Sequence, residues 1–306
     1  MKKFKLFSTI LGAVFLAFLI IIKFSEKPED ILQKHLKNKY KEEFVIAMLG
    51  KREEIYEAII YPKKYEGTPR ENDSYYWGKG FVRGKKGADT YGLVLLNEST
   101  NEFYLPKLKE LFGNNVLPIF NLGPAYTKNN FKEEIEIMKK SYKSDPTGNF
   151  EPISGGIYIF GRVESDEDRE WYRKQIYEFV QFMKQTGTFE YVNLAFYISD
   201  ERLLSDEFQN NESLQNTLRK LGERVAVKER KEILSKVDES YKNTSLESRQ
   251  KYLENMNKSD IRNEIYVNFW LYTKIYSKKY IESNSLDSEK KEYDKLEDIE
   301  FSIADY

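Results

Sequence analysis

Asp166, Glu167 and Asp168 stand side by side where the run "GGIYIFGRVE" (155–164) gives way to "SDEDREWYRKQIYEFVQFMKQT" (165–186). The first run reads as a strand and the second as a helix. Carboxylates set this close serve cation binding, acid–base cleavage of a glycan, or the capping of a helix start. A calcium loop fails on spacing: Trp171 stands where the turn needs Gly, and Tyr177 where the closing bidentate Glu belongs. Ser165 and Asp168 match a capping box, which sets all three acids in a first turn where the helix dipole favours negative charge. If the chain is an enzyme, the same three residues are its candidate catalytic groups, in a carboxylate-based hydrolase acting on envelope glycans. A phosphate ligand would be repelled there; a sugar or a cation would not.

Other catalytic routes are closed by composition. The chain has no Cys and a single His, so thiolate nucleophiles, disulfides and Cys-based zinc sites are excluded. His35 falls in the apolar spacing of Ile31, Leu32 and Leu36 and reads as a packing residue, which leaves Ser-His-Asp chemistry without a base. The run "WGKGFVRGKKG" (77–87) is not a phosphate loop, because Gly80 and Gly84 are too close and no Ser or Thr follows the lysines. As a hairpin it presents Lys79, Arg83, Lys85 and Lys86 near Trp77, Tyr75 and Tyr76. Trp77 and those four cations are the candidate ligand-binding residues, suited to an anionic wall polymer, lipid headgroups or a sugar chain. The Ser-x-x-Lys matches "SRQK" (248–251) and "SEKK" (288–291) lack their companion motifs. No metal site and no cofactor is expected.

Charge and the N-terminus bound the partners. A formal net charge of −1 argues against nucleic acid. After "MKKFK", residues 6–22 run "LFSTILGAVFLAFLIII" without a charge, which reads as an uncleaved signal-anchor helix in a membrane. Lys2, Lys3 and Lys5 set the N-terminus in the cytoplasm and residues 24–306 outside; secretion after signal cleavage is the alternative. A Cys-free body suits an oxidising envelope.

The elements that must position these residues follow from pattern. A helix is expected over 29–40, strands over 43–51 and 54–62, a hairpin over 75–98 turning at "KKGAD", and a helix over 103–112. A strand then begins at "VLPIFNLG" and a helix covers 130–143. Strand 157–163, helix 166–186 and strand 189–199 form a βαβ-like unit (156–199). The helix carries the stripe Tyr172, Ile176, Phe179, Val180, Met183 and stops at Gly187. A charged helical insertion fills 200–261, a strand covers 264–276, and an acidic tail closes the chain. "REEIY…IYPKKY" (52–65) and "RNEIY…IYSKKY" (262–280) suggest a tandem αββ duplication.

The expected fold class is therefore α+β, a transmembrane helix followed by a mixed-sheet body. The expected divisions are an anchor at 1–23, an N-terminal α+β domain at 24–112, a C-terminal one at 113–282 with the insertion, and an acidic tail at 283–306. The expected function is a membrane-anchored, extracytoplasmic bacterial protein that binds within the cell envelope without catalysis. Its partners would be the membrane, through the N-terminal helix, and an envelope polymer or membrane protein. The alternatives are the glycan hydrolase above, or a regulator or immunity-type partner of another membrane protein.

Overall fold

Helix α1 (Pro28–Tyr40) opens with Pro in its first turn, carries Glu29 and Asp30 early and Lys37 and Lys39 late, and ends at Lys41 in the left-handed region. The computed structural model to which it belongs describes residues 26–123, 128–145, 152–210, 232, 235–262, 269–284 and 291–303. The chain divides into two compact units. The first runs to Glu66 and includes Gly78–Tyr91; the second comprises Gly67–Trp77 and the chain from Gly92 onward.

In the first unit α1 covers one face of a four-stranded antiparallel sheet: β1 (Phe44–Arg52), β2 (Ile55–Pro62), β3 (Gly78–Arg83) and β4 (Lys86–Asp89), in that order. The glycines of "WGKGFVRGKKG" explain how closely helix and sheet approach. A Cβ on Gly80 would lie 2.5 Å from a methyl of Leu32, and one on Gly87 2.8 Å from the Cβ of His35. Ile31, Leu32 and Leu36 are buried in this contact. The seam ends on Asp89, whose fully buried carboxylate accepts from His35 Nε2 at 2.7 Å, Lys39 Nζ at 2.9 Å and Tyr40 Oη at 2.5 Å.

In the second unit, helix α2 (Tyr91–Phe112, all but its first residue) precedes β5 (Val116–Phe120), α3 (Phe131–Ser144), β6 (Ile153–Gly161), α4 (Asp166–Thr186) and β7 (Val192–Asp200). The short helices α5 (Asp206–Asn210), α6 (Asp238–Asn243), α7 (Leu246–Asn255) and α8 (Lys258–Arg262) lead to β8 (Phe269–Tyr276), α9 (Lys278–Ser283) and β9 (Ser302–Ile303). The sheet runs β5-β6-β7-β8-β9; β6 and β7 are parallel, joined by α4, and the other named neighbours are antiparallel. α4 buries Tyr172, Ile176, Phe179, Val180 and Met183, each removal of such a side chain from water contributing about 1.5–3 kcal/mol. β7 is buried along nearly its whole length, as a strand covered on both faces must be. Ile299 and Tyr293, in the acidic C-terminal stretch, are buried in the same core.

Two expectations are corrected here. Residues 91–98 belong to α2 and not to a hairpin, which is confined to β3 and β4. The cause is tertiary. Asn97 and Asn101, one helical turn apart, accept from the backbone N–H of Leu122 and Phe120, so α2 holds the end of β5 through polar side chains that are themselves buried. The fold class also loses its membrane component: among the described residues no helix is long and apolar enough to cross a membrane, so the transmembrane, signal-anchor and membrane assignments are withdrawn. The run 6–22 that motivated them lies outside the described residues, as do most of "RNEIY" and the middle of the expected helical insertion.

Candidate functional site

The acidic triplet sits at the start of α4, and there Asp168 is consumed by capping. Its N–H donates to Ser165 Oγ at 3.1 Å, while its Oδ2 accepts from the N–H groups of Glu164 and Ser165 at 2.8 and 3.0 Å. The Glu164 bond leads in holding this carboxyl below its ordinary range. Asp166 and Glu167 are exposed.

The neighbouring ends of β6 and β7, where a parallel pair would open a ligand crevice, are filled by charge. Gly161 pairs with Asp200, so the first residues beyond the two strands, Arg162 and Glu201, meet. Arg162 Nε donates to Glu201 at 2.9 Å and its Nη2 to Asp238 on α6 at 3.0 Å. Tyr241 Oη donates to the second Glu201 oxygen at 2.6 Å and accepts from Arg249 at 2.7 Å. Burial, with this bond to Glu201 next, pushes the Tyr241 phenol up to about 12. Arg202 forks onto the buried Asp200 at 2.9 and 2.6 Å. The strand end is thus a lattice of satisfied charges under α6 and α7.

The basic ribbon is different. In the first unit the cross-strand register sorts side chains onto two faces, because directly paired residues share a face. The rows Lys51–Tyr56–Val82–Gly87 and Met48–Ala58–Gly80–Asp89 face α1. The opposite face carries Arg52–Ile55–Arg83–Lys86, then Glu57, Phe81 and Ala88, then Ala47, Ile59 and Lys79. Arg52, Lys79, Arg83 and Lys86 are exposed, and Ile55, Ile59 and Phe81 are partly exposed between them. Lys85 projects from the two-residue turn with Gly84, whose φ is 59°. The pair of Arg83 with Glu54, at 3.5 Å, lies between side chains 73% and 79% exposed and neutralises little.

The structure therefore brings Arg83, Lys85 and Lys86 together, sets Lys79 farther along the same face as Arg83, and adds Arg52, which sequence reading missed. A bulge between Met48 and Gly50 decides which face Arg52 takes, and no local signal marks it. Trp77 falls in the second unit, where its indole N–H donates to the carbonyl of Glu71 at 3.0 Å.

No protein-family model matches the chain, and no curated protein does. Among solved structures it is similar to a DUF5037 family protein from Ruminococcus gnavus at 14% identity and a TM-score of 0.35, over 56% of this chain and 75% of that one.

Proposed function

We propose that the protein is a non-catalytic binding protein of the bacterial cell envelope that holds a linear anionic polymer on the outer sheet face of its first unit. The observation that carries this reading is the row Arg52–Ile55–Arg83–Lys86, which crosses four strands with its three cations exposed. At the ordinary strand spacing the row is about 14 Å wide, so a polymer with regularly repeated charges meets several cations at once. The apolar side chains Ile55 and Phe81 supply contact area between them. The extracytoplasmic location is part of the proposal and rests on a chain without Cys, which suits an oxidising envelope, and on the run at 6–22 read as an export signal.

The test is retention on immobilised polyuronate and on linear polyphosphate at low and high salt. The wild-type protein should bind at low salt and be released as salt screens the charges; the triple variant R52Q/R83Q/K86Q should bind at least ~10-fold more weakly. Equal binding by the variant overturns the reading. Preferential capture by anionic vesicles replaces the polymer with a membrane surface. Cleavage by external protease in intact cells checks the location.

A further inference from the structure

Within the second unit a separate cleft of about 470 Å³ opens between α2, β5, α7 and the segment 70–76. One face of α2 supplies Glu98, Asn101, Glu102, Leu105 and Lys109, a stripe at helical spacing. The cleft is held together by Asp73, 1% exposed. Asp73 accepts from Tyr75 N at 3.0 Å on one side, and on the other from Lys258 N at 2.7 Å, Ser259 N at 3.1 Å and Ser259 Oγ at 2.6 Å. That clamp fixes the start of α8 against Tyr75 and Tyr76. As a result, the Lys258 ammonium lies 5.0 Å from the centre of one ring and 5.1 Å from the other.

The other charges at this end of the cleft differ from Lys258. Arg70 is paired with Glu98 at 3.0 Å and stacks on Tyr76 at 4.6 Å. Lys258 has two aromatic faces and, among the described residues, no carboxylate within ion-pair distance. Aromatic faces attract a cation but do not replace its counter-ion. Burial, with Arg70 adding repulsion, outweighs the pull of Glu98, Asp73 and Glu102 and pushes the Lys258 amine down to about 8. A cation in that state, beside an open polar cleft of small-molecule size, lacks a directly bonded carboxylate, which a ligand would supply at the Lys258 end, away from Glu102 and Glu254 on the same lining.

We infer that this cleft binds a small carboxylate-bearing ligand of dipeptide or acidic-sugar size, with the carboxylate on the Lys258 ammonium and the rest along the amide-rich wall of Asn114, Gln250 and Asn255. The site is independent of the cationic sheet face. The ligand carboxylate stabilises the charged amine, so binding takes up a proton, and affinity falls as pH rises above about 8.

The probes are N-acetyl-alanyl-alanine and glucuronic acid, their methyl esters, and inorganic phosphate, titrated by calorimetry. One of the two acids should bind saturably and its ester at least ~10-fold more weakly, since the ester removes the charge; which acid binds separates peptide from sugar. K258M should lose at least ~10-fold in affinity and K258R less, with melting temperatures near that of the wild type. Amine acylation at pH 8 followed by peptide mass spectrometry should label Lys258 in the free protein, and the bound acid should protect it. The inference is overturned if neither acid binds, if ester and acid bind alike, or if K258M binds as the wild type does. Binding of phosphate alone also overturns the carboxylate assignment. None of these outcomes bears on polymer retention by the first unit.

Discussion

Asp89 in the first unit and Asp73 in the second each tie separate segments together from a buried position, and the two aspartates work by different physics. Asp89 collects the side chains of one helix: His35, Lys39 and Tyr40, with the Tyr91 N–H as a further donor at 3.0 Å. Asp73 collects neutral donors from two segments 185 residues apart, mostly backbone N–H groups. The first arrangement depends on partner charge and exposes part of it, since the Lys39 side chain is 41% exposed. The second depends on geometry, because neutral donors carry no net charge for salt to screen. A charge clasp is adjustable by pH and ionic strength, whereas a backbone clamp is all or nothing.

The largest effect should come from breaking the clamp. D73A leaves the N–H groups of Tyr75, Lys258 and Ser259 without their acceptor and should cost about 3 kcal/mol in denaturant unfolding. Hydrogen exchange should speed up at the start of α8 and in residues 74–76 together. Exchange unchanged at either segment breaks the comparison, because the clamp would then not couple them.

The next effect is on the clasp and depends on pH. Burial alone would raise the Asp89 pKa, but the bonds from Tyr40, Lys39 and His35 outweigh it and hold the carboxyl below its ordinary value. A carboxyl depressed in the folded state contributes stability that is complete above its unfolded value, near 4, and is lost as pH falls through the folded one. D89N should therefore destabilise by about 2 kcal/mol at pH 7, with a smaller penalty below pH 3. A penalty independent of pH would mean that Asp89 acts by shape and not by charge.

Local features were legible in the sequence and distant pairings were not. The start of α4 could be read because Ser165 and Asp168 specify it within four residues, and its end because Gly187 takes a φ of 69°. The βαβ-like order around it follows from periodicity confined to one stretch. The start of α2 could not be read. Its "GLVLLN" run is apolar enough for a strand, and only the anchoring of Phe120 and Leu122 by Asn101 and Asn97 makes buried amides in a helix favourable. The basic hairpin was visible as composition, yet its row needed the register of β1, set by a bulge. The Lys258 cleft had no local signature, since Arg70, Glu98 and Lys258 come together only in the folded unit. Glycines that suggested a phosphate loop proved to admit α1.

The smallest effect sharpens the comparison most. Lys39 is the most exposed donor to Asp89, so its contribution should be reduced by solvent and abolished by salt. K39M keeps the aliphatic stem against Tyr40, whose ring lies 4.9 Å from the ammonium, and removes only the charge. It should cost about 0.5 kcal/mol at low ionic strength and nothing measurable in 1 M NaCl, where the screening length falls to about 3 Å. D73A measured in the same two buffers should cost the same in both. If K39M is insensitive to salt, the ammonium adds nothing that His35 and Tyr40 do not already supply, and the clasp of the first unit is a neutral hydrogen-bond clamp like that of the second. If D73A is salt-sensitive, the charge on Asp73 reaches the nearby Lys258 ammonium, and emptying or filling the cleft should then change the stability of the clamp beneath it.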